Sequence, residues 1–231
     1  MKILLLRSSE NPTLLQDLIW ARPDIEWMDA PLAALPGTGE SISEREQLVH
    51  YIADVKKKMP PGDAVLYARS YGAFSREGHQ TLQSLFGVPL FSAPQAIALF
   101  LKEHRMRRLF VLSPYGQRRH MQEIHWIMQQ EEQEVTASAC MGHDPSYEIR
   151  SLKAEDMVKA LGSAASLKGS VDAVYLASTL VRYLRMRDTV EKAASAPIVS
   201  AAAALLWQLD EWMRRRRLGK EDAEEDVVEG A

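Results

Sequence analysis

The stretch DAVYLASTLVR, from Asp172 to Arg182, repeats an earlier one, DAVLYARSYGA, from Asp63 to Ala73. Each opens on an aspartate, runs through apolar residues and ends among hydroxyl-bearing or charged ones. The offset is 109 residues, and two further pairs keep nearly the same spacing. PLFSAPQAIALFL (Pro89–Leu101) matches PIVSAAAALLWQL (Pro197–Leu209) at 108, and KILLLRSS (Lys2–Ser9) matches RLFVLSPY (Arg108–Tyr115) at 106. Three segments in one order at near-constant spacing predict two halves of about 105 residues built to one plan.

The plan is α/β. Short aliphatic runs alternate with longer amphipathic ones, which is the signature of βα units on a parallel sheet. Strands are expected at Lys2–Leu6, Ile25–Met28, Ala64–Ala68, Leu90–Ser92, Leu109–Leu112, Val135–Ala139, Ala173–Ala177 and Ile198–Ser200. Ser43 with Glu46 reads as a capping box opening a helix over Glu44–Lys58, and Pro60-Pro61-Gly62 stops it. Gln117–Glu132 and Lys153–Ala165 carry apolar residues at helical spacing. The expected architecture is two pseudo-symmetric, Rossmann-like lobes with parallel four-stranded sheets and a cleft between them. Residues 1–105 form the first lobe, completed by a C-terminal helix at about 201–217, and 106–200 form the second. Residues 218–231 read as a disordered acidic tail.

The totals exclude several classes of function. A formal charge of −3 over 231 residues gives no basic field for nucleic acid. Arg214–Arg217 is a basic run, but it ends a helix, where cations complement the dipole, and the acidic residues after it reverse the charge. No apolar run approaches the ~18 residues of a membrane span, and MKILLLRSSE reads as a first strand rather than a leader. One cysteine, Cys140, leaves no internal disulfide and no cysteine metal cluster. His120 and His125 of HMQEIH stand about 140° apart on a helix and do not converge on a metal. Neither GxGxxG nor GxxxxGK occurs, so no cofactor is expected. The expectation is a cytoplasmic protein without metal, cofactor, membrane or nucleic-acid partner.

Ligands of open parallel sheets bind beyond the carboxyl ends of the strands. That rule selects Ser8 and Ser9 after the first strand, Ser113-Pro114-Tyr115 after its counterpart, Arg69-Ser70-Tyr71 and Ser178-Thr179 after the third strands, and His143, Asp144 and Ser146 after the strand that carries Cys140. A lining of hydroxyls and helix N-termini suits a small carboxylate. The same serines and threonines could also serve as helix N-caps.

These words resemble a family. DAVYLASTLVR followed by PIVSAAAALLWQL is similar to the second signature of the aspartate/glutamate racemase superfamily, nearest to its maleate cis-trans isomerase and arylmalonate decarboxylase branch. VLSPYGQ (Val111–Gln117) resembles that branch's strand-Pro-Tyr segment, DAVLYARSYGAF resembles its first-half signature, and the likeness spans Lys2 to Trp212. It implies two pseudo-symmetric lobes, a site between them and, commonly, homo-oligomers. It also implies a cysteine at the end of each third strand, acting as proton carrier or nucleophile. The matching positions here are Arg69 and Ser178, so both thiols are absent. An unactivated serine is a poor acid or base, and an arginine stays protonated. The resemblance implies carboxylate contacts at Tyr115, Ser8, Ser9, Ser70 and Thr179, with Ser146 where the family often has asparagine, and Tyr71 joins the substrate-binding candidates by its place after the third strand. Cys140, on the second strand of its half, reads as a buried inert thiol, and His143-Asp144 as a turn that could also supply an acid or base.

Two readings stay open. In one, the chain performs cysteine-independent isomerase- or lyase-type chemistry on a small carboxylic acid, with Ser178, Tyr115 and Arg69 stabilising negative charge. In the other it is a non-catalytic carboxylate-binding or accessory protein that has lost the thiols.

Overall fold

The computed structural model describes residues 1–33, 41–70, 72–130, 132–143, 146–162 and 169–219. The first half supplies β1 (Lys2–Ser8), α1 (Thr13–Ala21), β2 (Glu26–Leu32), α2 (Ile42–Lys58), β3 (Ala64–Ala68), α3 (Arg76–Ser84), β4 (Leu90–Ser92) and α4 (Ala93–Glu103). The second supplies β5 (Arg108–Tyr115), α5 (Gln117–Met128), β6 (Glu134–His143), α6 (Ser146–Ser151), α7 (Ala154–Ala160), β7 (Ala173–Leu176), α8 (Tyr183–Ala194), β8 (Ile198–Ser200) and α9 (Ala201–Arg217). Two parallel four-stranded sheets result, ordered β2-β1-β3-β4 and β6-β5-β7-β8, so the two halves share one topology.

The repeated words have a structural reason. Asp63 and Asp172 each close the start of their sheet: Asp63 Oδ2 accepts from the Lys2 amide at 2.7 Å, and Asp172 Oδ2 accepts from the Arg108 amide at 2.8 Å. The amides of Val65 and Val174 then donate to the carbonyls of Pro89 and Pro197, the prolines that open the repeated last-strand segments. Gly62, at φ +72°, permits the turn into β3, because a Cβ there would lie 2.6 Å from the Lys2 carbonyl oxygen.

Successive residues of the inner strands point to opposite faces, which sorts the buried side chains into three cores. Leu4, Leu6, Val65 and Tyr67 face outward under α2 and α3. Phe110, Leu112, Val174 and Leu176 face outward in the other half, under α6, α7 and α8. Ile3, Leu5, Leu66, Leu109, Val111 and Tyr175 face inward and share one core with α1, α4, α5 and α9. The central helices α4 and α9 pack against each other, and Ala93, Ala96, Ala201, Ala202 and Ala204 are buried in that shared core. Small side chains there let the two backbones approach closely. The inner strands, buried on both faces, read in the sequence as unbroken apolar runs, whereas the edge strands β2 and β6 do not.

Several sequence expectations are corrected. The capping box belongs to Ser41 and Glu44, with Ser41 Oγ accepting from the Glu44 amide, so α2 begins two residues before the expected start. The second strand runs Glu26–Leu32, and α5 ends at Met128 rather than Glu132. The helix expected over Lys153–Ala165 is described as Ala154–Ala160, and 163–168 lie outside the described residues. The expected acidic tail also lies outside them from residue 220 onward. Cys140 is half-buried on edge strand β6 rather than fully buried. No described helix is long and apolar enough to cross a membrane.

Candidate functional site

The carboxyl ends of β3, β5 and β7 meet the N-termini of α4 and α9 at the seam between the lobes. Ser70, Tyr115, Ser178 and Thr179 line a cavity there together with Ala93 and Pro94 of α4 and Ala201 of α9. Two helix N-termini converging on one point favour an anion. The cavity measures about 20 Å³, room for about one water.

Ser178 is held through both its amide and its hydroxyl. Its amide donates to the Leu176 carbonyl at 2.9 Å, and its Oγ accepts from the Leu180 amide at 3.0 Å. The Tyr115 hydroxyl lies 3.0 Å from the same Oγ. Burial pushes the Tyr115 phenol up, so it stays a hydroxyl at neutral pH. Tyr115 is fixed from behind by its amide, which donates to Ser113 Oγ, and by the Cys140 thiol, which donates to its carbonyl at 2.9 Å.

Helix α5 contributes groups that the residue types at the strand ends did not indicate. Arg119, Glu123 and Trp126 lie on one helical face turned toward the cleft. The Arg119 guanidinium sits over the rings of Phe74 and Tyr115 at 5.9 and 5.4 Å, and its Nη2 donates to Ser70 Oγ at 3.2 Å. Its Nε donates to Glu123 Oε1 at 3.3 Å, while the Tyr175 hydroxyl donates to Glu123 Oε2 at 3.1 Å. Glu123 is 3% exposed and lines the cavity. Burial raises its pKa, opposed in part by Arg119. Burial works against the Arg119 charge, but Glu123 and the two tyrosines outweigh it and hold the guanidinium above its ordinary value.

Other expected residues stand outside this cluster. Arg69 Nη1 donates to the Ala33 carbonyl at 3.0 Å, beyond β2, and Arg69 is not part of the cavity wall. Ser8 Oγ accepts from the Glu10 amide, and the Ser9 amide donates to the Leu32 carbonyl, so both organise the β1–α1 loop. His143 ends β6 with its Nδ1 3.2 Å from Glu148 Oε2. Tyr71 and Asp144 lie outside the described residues, and Ser146 is placed as the first residue of α6. His120 is buried, with Nε2 3.1 Å from Ser138 Oγ, while His125 bonds Gln129 on its own helix. Among the described residues no group of three metal-binding side chains occurs.

The seam is closed around the cavity. Asp17 of α1, 2% exposed, accepts from Arg182 Nη2 at 3.2 Å and from Arg185 Nε at 2.8 Å, both in the other lobe. Asn11 Nδ2 donates to the Thr179 carbonyl, and Arg150 Nη1 to the Glu10 carbonyl. The Trp126 indole donates to the Phe74 carbonyl at 3.3 Å.

Comparison with known proteins agrees with this geometry. A family model described as arylmalonate decarboxylase matches residues 59–223. The maleate isomerase Iso from Pseudomonas putida S16 superposes with a TM-score of 0.75 at 15% identity, covering 93% of both chains. A maleate cis-trans isomerase from Nocardia farcinica, trapped with a covalently bound succinylcysteine intermediate, superposes with a TM-score of 0.69 at 17% identity, covering 94% of this chain and 92% of that one. Unliganded arylmalonate decarboxylase gives 0.72 at 16% identity over 91% of each chain. No curated protein matches the sequence. The chain belongs to the arylmalonate decarboxylase family.

Proposed function

We propose that the protein carries out isomerase- or lyase-type chemistry on a small carboxylic acid without a cysteine. The observation that carries this reading is the Tyr115–Ser178 hydroxyl pair, 3.0 Å apart, at a cavity wall that holds no thiol among the described residues. In this reading the two hydroxyls face the oxygen on which negative charge develops, and the helix N-termini add to their effect. Arg119, rather than Arg69, pairs with a substrate carboxylate: among the described residues its hydrogen bonds use Nε and Nη2, which leaves Nη1 to the ligand, and its side chain is 36% exposed. Ser70 and Thr179 complete the pocket.

The size of the cavity favours a second reading. A space for about one water admits no dicarboxylate unless its walls part, as would suit a protein that closes on a ligand without turning it over. Phenylmalonate and maleate separate the two. Each is added in thermal-shift measurements and followed for conversion by NMR. Saturating ligand at 100 times Kd raises stability by about 2.7 kcal/mol in either reading. Conversion that survives Cys140→Ala supports the enzyme. Binding without conversion supports the binding protein, and conversion abolished by Cys140→Ala overturns cysteine-independent chemistry.

A further inference from the structure

Glu123 is buried where an acid is costly to keep, and both of its oxygens are hydrogen-bonded at the cavity wall. Oε1 accepts from Arg119 and Oε2 from the Tyr175 hydroxyl, while the side chain borders the same water-sized space as Ser178 and Tyr115. We infer that Glu123 is the proton-transferring residue of this cleft, taking the place of the absent thiol; the inference rests on the enzymatic reading above.

Three observations support the assignment. The titratable and charged groups that face Glu123 are Arg119 on its own helix, Tyr175 on β7 and Tyr115 on β5. Burial pushes both tyrosines up, away from neutrality, whereas it pushes the Glu123 carboxyl up toward neutrality, where an acid exchanges protons best. The adjoining cavity has room for about one water, the molecule that would return a proton to the carboxyl. Finally, Arg119 and Tyr175 hold the carboxylate in the state it reaches after giving up its proton.

In the lyase direction the step balances. The bond between the α-carbon of a malonate and one carboxylate breaks, and that carboxylate leaves as carbon dioxide. The electron pair passes into the remaining carboxylate as an enediolate, whose oxygens meet Arg119, Tyr115 and Ser178. Protonated Glu123 gives its proton to the α-carbon, leaving a monocarboxylate product and the Glu123 carboxylate, which then regains a proton from water. No oxidant or other co-reactant is required.

Glu123→Gln and Glu123→Asp, compared with the unaltered protein on phenylmalonate in deuterated buffer, test this. Decarboxylation is followed by NMR, and kcat and KM are measured across pH. Glu123 as the acid requires that kcat of the unaltered protein fall as pH rises through the carboxyl's pKa. Glu123→Gln should lower kcat by about 10²-fold or more, leave KM within a few-fold and remove that fall. Glu123→Asp should keep the fall at a reduced rate, which shows that loss in Glu123→Gln is not misfolding. If Glu123→Gln retains both rate and pH profile, the inference is overturned and the enzymatic reading stands. If the unaltered protein binds phenylmalonate and maleate but converts neither, both fall together.

Discussion

Asp17 in α1 and Glu123 in α5 occupy the same place in the two halves, separated by the 106 residues that also separate Lys2 from Arg108, and both carboxylates are buried. Their partners differ. Asp17 takes Arg182 and Arg185 from the opposite lobe and so fastens the seam. Glu123 takes Arg119 and Tyr175 from its own lobe and faces the cavity. Equivalent positions thus serve as a clamp in one half and border the candidate site in the other.

Removal of the clamp should be felt in stability. Asp17→Ala deletes two hydrogen bonds between charged groups, and because both arginines are partly exposed they can turn to water. The expected cost is about 2 kcal/mol, a fall in Tm of roughly 4–8 °C for a chain of this size. Thermal denaturation measures it, and an unchanged Tm would show that the seam is held elsewhere.

The hydroxyl pair should behave as one unit. Ser178→Ala and Tyr115→Phe should each lower kcat by about 10²–10³-fold if the pair faces the developing charge. Because each hydroxyl orients the other, the double variant should lose much less than the product of the single losses. Multiplicative losses in a double-mutant cycle would mean that the two act separately.

Acid should weaken the fold in two stages. Burial holds the imidazoles of His79 and His120 below their ordinary 6.5, so the folded state resists their protonation. Their contribution is present above that value and is lost as pH falls through it. Asp172 is lowered from 3.8 to about 2, chiefly by its hydrogen bonds with the Arg108 side chain and amide. What it contributes is present above about pH 4 and disappears toward pH 2. Urea midpoints measured across pH should flatten in the upper window for His79→Gln and in the lower for Asp172→Asn. Parallel curves for variant and parent would refute the assignment.

Gly78→Ala should disturb the cleft from a distance. A Cβ at that position would lie 2.3 Å from the Gly72 carbonyl oxygen, pushing on the turn that presents Phe74 beneath Arg119. A cost of about 1–3 kcal/mol is expected, with weakened phenylmalonate binding in thermal-shift titrations. Gly87→Ala, with nothing within 4 Å of the new Cβ, is the control.

The repeat made the frame legible: β3, β4 and β8 fall where the sequence puts them, because doubly buried strands are unbroken apolar runs between strong turn residues. The start of α2 was ambiguous, since SISERE offers both Ser41–Glu44 and Ser43–Glu46 as S-x-x-E pairs and the sequence pattern alone does not choose between them. Arg69 stands at the right place in the strand pattern, but a long flexible side chain can reach backward, and this one does. Arg119 and Glu123 were hidden because charges at helical spacing ordinarily mark a solvated face. A signal was present, however: QDLIW (Gln16–Trp20) and QEIHW (Gln122–Trp126) match at the same 106 offset, placing an acid on the equivalent face of both helices.

The shared inner core has a consequence for cooperativity. Ile3, Leu5 and Leu66 of one sheet and Leu109, Val111 and Tyr175 of the other lie in one core with α1 and α5, and α4 and α9 join the two sheets through it. A chain cut near residue 105 would leave each half with a naked apolar face, so the whole should unfold in one transition rather than lobe by lobe. By the same geometry, a half-length ancestor could have buried that face only against a twin of itself, with the present cleft as the join between two copies.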